Sequence, residues 1–427
     1  MLIEFSVANF RSLFERQTFS LVKASGNELV ESNAFKVQAA NEHHLLRSAA
    51  IYGPNAGGKS NLLLAMKTME RIVLKSATNF QRGDKLPVIP FRLSQAALDK
   101  PSEFEVSFIV GQVRYQYGFT ATTERVHEEW LLAYPKGRSQ LWIGRTWNIE
   151  NQRYDWEPCD NLSGEKQLWQ KSTRDNALFL STAVQLNSKQ LQPIYDWFKT
   201  TLRITSSDGW SPIFSASLCD KNEKAQVMEF LHAADLNIED IVIKEKPFDV
   251  NELSDDMPSH LKELIASDFK DKQIIDIKTV HKSIDGADVV FDFEQESDGT
   301  QKLFAFAGPW IDCLAHGYVL FVDELHDNLH PKLVHFLVQL FHDTETNPKN
   351  AQLIFTTHET SILNQEVFRR DQIWFCEKNQ QNATVVYPLT DFSPRKGREN
   401  LELAYLSGRY GALPYVRSLR KKLNGNG

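Results

Sequence analysis

The chain opens on a pattern of period two. Ile3, Phe5 and Val7 alternate with Leu2, Glu4 and Ser6, which predicts a strand with one buried face. A turn is expected at Asn9-Phe10-Arg11-Ser12. Ala49-Ala50-Ile51-Tyr52 is a short apolar strand that runs straight into a glycine-rich stretch. Beyond it, Leu62, Met66, Met69 and Val73 recur at spacings of four, three and four, one face of a helix.

Residues 101–150 return to strand character. Phe104, Val106, Phe108 and Val110 alternate with polar neighbours, and Arg114 to Phe119 reads as the returning arm of a hairpin. From about 165 to 270 the spacing is mostly helical, as at Val227, Phe230 and Leu231. Without sustained heptads, a compact helical insertion is expected rather than a coiled-coil arm. Strands are expected again over 274–294, at Tyr318–Val322, Ala351–Thr356 and Ile373–Phe375. A helix is predicted from Pro331, with Leu333, Phe336, Leu337 and Leu340 on one side. The pattern suggests an α/β class with an antiparallel β subdomain. It divides the chain into an N-terminal part (1–160), a helical insertion (161–272) and a C-terminal part (273–427).

Composition narrows the reading. At 427 residues the chain should form two or three units. The formal net charge is 48 − 55 = −7, so no global basic field calls for nucleic acid. Charge is uneven, however. From Arg395 onward, Arg395, Lys396, Arg398, Arg409, Arg417, Arg420, Lys421 and Lys422 face only Glu399 and Glu402. Cys159, Cys219, Cys313 and Cys376 are far apart, which disfavours a zinc site or a disulfide framework and fits a reducing, cytoplasmic setting. No signal-peptide layout or long apolar run is present, so no membrane association is expected.

Four stretches carry chemistry. Gly53-Pro54-Asn55-Ala56-Gly57-Gly58-Lys59-Ser60 has the G-x-x-x-x-G-K-[ST] spacing. Such a loop wraps phosphates with backbone N–H groups, aims the following helix's positive end at them, and places Lys59 on the β- and γ-phosphates and Ser60 on Mg²⁺. Asn61 follows in the same turn of helix. Asp323 and Glu324 end an apolar strand. Asp323 is expected in the Mg²⁺ shell, and Glu324 as the base that polarises the attacking water. Thr357 and His358 end another buried strand, where His358 is expected to sense the γ-phosphate. Ser297-Asp298-Gly299-Thr300-Gln301 precedes a helix. Ser297 can simply cap that helix; alternatively, Ser297, Gly299 and Gln301 reach a second nucleotide across a dimer interface.

In this order the stretches resemble the ABC-type ATPase heads of the SMC, RecF and OLD group. Gly53–Ser60 looks like Walker A, Ser297–Gln301 like the signature, Tyr318–Glu324 like Walker B and His358 like the switch histidine. Asp327-Asn328-Leu329-His330 stands at the D-loop position, with His330 where many relatives carry aspartate. Whether Thr300 or Gln301 takes the signature glutamine's role stays open, and Gln81 and Gln95 are the nearby candidates for the Q-loop. Pro90-Phe91-Arg92-Leu93, Glu129-Trp130-Leu131, Leu329-His330-Pro331 and Tyr405–Pro414 further resemble bacterial abortive-infection ATPases of the AbiL, RloA and AriA kind. That resemblance implies ATP and Mg²⁺ as ligands and a homodimer or higher oligomer with ATP at the interface. It also implies an anti-phage role with a phage-encoded trigger, and a neighbouring effector, often a TOPRIM-related nuclease. The alternative is a RecF-like DNA-maintenance clamp, for which the basic tail offers phosphate contacts. Membrane transport is disfavoured because no docking signal for a transmembrane domain is readable.

Overall fold

A computed structural model describes residues 1–205, 209–247, 273–395, 397 and 399–414. Two compact units emerge. One comprises Met1–Ser207, Cys313–Asp327 and Val334–Gly427; the other comprises Asp208–Asp312 and Asn328–Leu333.

The first unit contains a mainly antiparallel sheet and a mainly parallel one. The antiparallel sheet is formed by β1 (Leu2–Ala8), β2 (Gln17–Ser20), β6 (Ser102–Val110), β7 (Val113–Ala121), β8 (Val126–Tyr134), β9 (Gln140–Asn148) and β10 (Arg153–Trp156), in the order β10-β9-β8-β7-β6-β1-β2. Its alternating positions fall as expected up to Phe108: Phe104, Val106 and Phe108 are buried while Glu103, Glu105 and Ser107 are half-exposed, but at the end of the strand Ile109 is buried and Val110, expected on the buried face, is half-exposed. A separate hairpin joins β3 (Ala34–Ala39) to β4 (Asn41–Leu46).

The second sheet runs β11-β15-β16-β5-β17-β18. It comprises β5 (Ser48–Tyr52), β11 (Leu202–Ile204), β15 (Val319–Val322), β16 (Gln352–Thr356), β17 (Ile373–Lys378) and β18 (Thr384–Pro388). All pairings are parallel except the antiparallel edge pair of β17 and β18. Parallel strands covered on both faces need continuous apolar runs, and β5, β15 and β16 are buried at every position. The helix Lys59–Lys75 buries Leu62, Met66, Met69 and Val73. These join Phe5, Val7, Phe104, Phe108 and Tyr117 of the antiparallel sheet and Ile51, Phe321 and Ile354 of the parallel one in a single cluster.

The second unit holds a three-stranded antiparallel sheet, in the order β12 (Asp240–Pro247), β13 (Gln273–Lys282), β14 (Asp288–Asp292). The stretch from 165 to 270 is thus not uniformly helical. It carries the expected helices, among them Lys166–Ser172, Phe179–Gln185 and Lys224–Ala233, but also β11 and β12. Three residues are too few to show a period, so β11 could not be read from spacing. Residues 248–272 of that stretch lie outside the described residues.

Candidate functional site

Parallel pairing places the carboxyl ends of β5, β15 and β16 side by side. Ile51 sits opposite Thr356, and Val322 opposite Phe355. The residues that leave these ends, Gly53, Asp323 and Thr357-His358, therefore share one edge, where open α/β sheets place their ligands. A cleft of about 300 Å³ opens there, lined by Pro54, Asn55, Ala56, Gly57, Gly58, Lys59, Ser60, Asn61, Glu324 and His358. Three separate sequence stretches thus converge on one space. Gln81 and Gln95 do not line it.

The loop is tightly seated. A methyl group at Gly53 would lie 2.1 Å from the Cys376 carbonyl oxygen. One at Gly58, where φ is +108°, would lie 2.0 Å from Thr384 Oγ1. Only glycine allows both approaches. Thr384 Oγ1 donates to the Gly57 carbonyl at 2.9 Å and meets Ser12 Oγ at 2.8 Å. Asn61 Nδ2 donates to that same Ser12 oxygen at 2.7 Å. A chain of hydroxyls thus ties the turn after β1, the loop and β18 together. Ser12 lies in the turn expected after the first strand, but its part in the site, like that of Thr384, is not readable from sequence because it rests on this long-range contact.

Lys59 is buried, and its ammonium donates to Gly53 O at 2.8 Å, Pro54 O at 3.2 Å and His358 Nε2 at 3.0 Å. Burial lowers its pKa. His358 accepts through Nε2, so its proton sits on Nδ1. Burial first, then Lys59 and His326, hold His358 down to about 4, so it is neutral at physiological pH. The loop lysine and the switch-position histidine are therefore linked directly. His326, missed in the sequence, packs edge-on against His358 with ring centroids 5.4 Å apart.

Glu324 is exposed to the cleft and takes a left-handed backbone, φ +51°, an uncommon conformation for a non-glycine residue. It lets the chain turn sharply off β15, with Asp323 half-buried on one side and Glu324 open on the other. The Ser60 hydroxyl and one carboxylate suit Mg²⁺, which keeps waters and phosphate oxygens in its shell and needs no all-protein cage. The described residues contain no cluster of three or more His, Cys, Asp or Glu side chains poised around a metal.

A second cavity, about 360 Å³, shares Asn61 with the cleft and is lined by Arg11, Ser12, Pro90, Phe91, Arg92 and Lys378 among others. Pro90-Phe91-Arg92, one of the stretches that carry the family resemblance, forms a wall of this cavity.

Ser297, Gly299 and Gln301 belong to the second unit. Ser297 Oγ accepts the Thr300 N–H at 3.2 Å, at the start of the helix Asp298–His316, so the capping role is present in the structure. Gln301 Nε2 donates to the Glu296 carbonyl at 2.9 Å. A methyl group at Gly299 would lie 2.9 Å from Asn328 O. Of the basic tail, Lys396, Arg398, Arg417, Arg420, Lys421 and Lys422 lie outside the described residues. Arg409 pairs with Glu399 at 2.6 Å. Among the described residues no helix is long and apolar enough to cross a membrane.

Comparison with known proteins adds to this geometry. Residues 48–364 match the family described as "AAA domain, putative AbiEii toxin, Type IV TA system". No curated protein matches. Among solved structures, the chain is similar to an SMC head domain from Thermotoga maritima, with 13% identity, a TM-score of 0.37, and coverage of 91% of this chain and 98% of that one. It is also similar to an Smc head domain with an extended coiled coil bound to the C-terminal domain of ScpA derived from Pyrococcus furiosus. There the identity is 13%, the TM-score 0.38, and the coverage 91% and 96%.

Proposed function

The chain belongs to the AAA-domain family described as a putative AbiEii toxin of type IV toxin–antitoxin systems, and on that premise we propose that it binds ATP with Mg²⁺ and hydrolyses it as the switch subunit of a defence complex. The observation that carries the reading is the convergence of the phosphate loop, Glu324 and His358 on one cleft of about 300 Å³.

In this reading Gly53–Ser60 cradles the phosphates, and Lys59 exchanges its contacts with Gly53 O, Pro54 O and His358 for phosphate oxygens. Ser60 and Asp323 would hold Mg²⁺, which would supply positive charge beside the transferred phosphoryl group. Glu324 orients and deprotonates the attacking water, and neutral His358 donates a ring N–H to a γ-phosphate oxygen. Arg11, Phe91 and Lys378 face the nucleotide's base and ribose in the adjoining cavity. Ser297, Gly299 and Gln301 serve a second subunit's nucleotide, so that ATP holds a head-to-tail dimer. Hydrolysis then loosens a two-state assembly that a partner can bias.

The family description supports a toxin–antitoxin partnership. The finer reading places this chain beside abortive-infection ATPases of the AbiL, RloA and AriA kind, as a sensor or scaffold for a separate effector, a TOPRIM-related nuclease. The test compares wild type with Lys59→Ala and Glu324→Gln. Lys59→Ala should abolish ATP binding. Glu324→Gln should bind ATP, hydrolyse it at least a hundredfold more slowly and trap the dimer. Affinity capture from the native host should then recover a nuclease-like neighbour whose retention follows the ATP state. Normal hydrolysis by Glu324→Gln would remove the base assignment. Recovery of DNA and repair proteins alone would replace the defence reading with a DNA clamp.

A further inference from the structure

Thr356, the last residue of β16, follows the final pair with β15, Phe355 opposite Val322, and stands opposite Ile51 of β5 on the other side. It therefore lies between the strand that launches the phosphate loop and the strand that ends in the acidic pair. Its side chain is fully buried. At such a position valine would fill the same space, favour the strand equally and leave no polar atom to satisfy. The hydroxyl, however, is fully used. It donates to Asp323 Oδ1 at 2.5 Å and accepts the Glu324 N–H at 2.8 Å.

The direction of each bond is fixed by chemistry. An ionised aspartate only accepts and a backbone N–H only donates, so the single Thr356 proton must point at Asp323. The carbonyl of the same residue takes the Leu325 N–H at 3.1 Å. Asp323, Glu324 and Leu325 are thus fastened in succession to one residue, across the turn where Glu324 has φ +51°. Thr205 completes the arrangement by accepting the Asp323 N–H at 3.2 Å.

We propose that Thr356 is a positioning residue for the acidic pair, one that fixes which carboxylate oxygen of Asp323 faces the metal and where the Glu324 side chain begins. The proposal rests on the ATPase reading above. With Oδ1 held by the hydroxyl, the Asp323 carboxylate cannot rotate freely, and Oδ2 would be the oxygen offered to Mg²⁺. The same hydroxyl holds the backbone of the base, so metal site and base move as one piece.

The test is the Mg²⁺ dependence of ATP hydrolysis in Thr356→Val and Thr356→Ser. Loss of a hydrogen bond to a charged group should raise the Mg²⁺ concentration for half-maximal activity by roughly ten- to a hundredfold in Thr356→Val. Nucleotide affinity in EDTA should stay near wild type, and the melting temperature should fall by only a few degrees, since the Asp323 carboxylate and the Glu324 N–H each lose one partner. Thr356→Ser keeps the hydroxyl and should restore the Mg²⁺ response. A residue that merely fills space gives the reverse order, because serine leaves a methyl-sized gap and valine does not. Serine faring worse than valine, or a Thr356→Val enzyme with wild-type rate and Mg²⁺ response, would overturn the proposal. A wild-type protein that hydrolyses no ATP, or does so without Mg²⁺, would instead bring down the ATPase reading and this inference with it.

Discussion

Replacing Glu129 should be among the most damaging single changes in this chain, although the residue is remote from the cleft lining. Its side chain and that of Arg145 are both fully inaccessible, and their ion pair closes at 2.9 Å. The carboxylate also accepts the Tyr117 hydroxyl at 3.0 Å and the N–H groups of Phe179 and Leu180 at 2.7 and 3.0 Å. Those two amides open the helix Phe179–Gln185, whose Ser181 donates to Val73 O on the phosphate-loop helix. Glu129→Ala strands a buried guanidinium and two helix-start donors at once. Breaking a buried pair from one side costs about 3–5 kcal/mol, which at roughly 2–4 °C per kcal/mol lowers the melting temperature by about 6–20 °C. The double variant Glu129→Leu with Arg145→Met removes both charges and should recover the part of the loss that the stranded guanidinium causes, since apolar replacements of buried pairs are often neutral, while the Tyr117 hydroxyl and the Phe179 and Leu180 N–H groups still lack their acceptor. Scanning calorimetry of the three proteins decides the matter. A single variant within about 1 kcal/mol of wild type, or a double variant no better than the single, would refute the reasoning.

Gly53→Ala should eliminate ATP binding in a nucleotide titration while leaving the far-UV circular dichroism intact, because the added methyl meets a backbone carbonyl at 2.1 Å and the loop must move to avoid it. His342 supplies a pH test. Burial holds it down to about 3, and it shares hydrogen bonds with Ser48 and Gln372. Between that value and the ordinary histidine range, only the unfolded chain takes up this proton. Stability is therefore fully present above pH 6.5 and is lost as pH falls. His342→Gln should flatten the pH dependence of the unfolding free energy between pH 6 and 4 by about 1.4 kcal/mol per pH unit. An unchanged slope would show that His342 is not held neutral.

The legible parts of this molecule were those whose physics is local. The phosphate loop could be read because backbone wrapping demands glycines and lysine at fixed spacing. The acidic pair could be read because a parallel strand buried on both faces is apolar throughout, and Asp323-Glu324 ends one abruptly. The antiparallel subdomain announced itself through alternation in β6 and β7. Other features were silent because their partners are distant. Ser12 and Thr384 meet across 372 positions, and neither has a pattern of its own. Glu129-Trp130-Leu131 has no local pattern beyond its family resemblance, and Glu129 instead holds Arg145, Tyr117 and the start of a helix. Asp298–His316 begins with Ser297 as a cap, so the local hydrogen bonds in the second unit satisfy the simpler reading of that stretch.

The site's supports have a chemistry in common. Thr356, Thr205, Thr384 and Ser12 are all hydroxyls, and they hold Asp323, Glu324, the phosphate loop and Asn61. A hydroxyl can accept from a backbone N–H and donate to a carboxylate at a single atom. An arginine in the place of Thr356 would hold Asp323 more strongly, but it would neutralise the charge that a divalent metal requires and add a rival cation beside Lys59. An aspartate or glutamate there would repel both the acidic pair and an incoming polyphosphate. Hydroxyls fix geometry while leaving the charge of the cleft to Lys59, Asp323 and Glu324. This explains why the residues that set the site's shape are uncharged and easily overlooked, while the residues they position stand out at once.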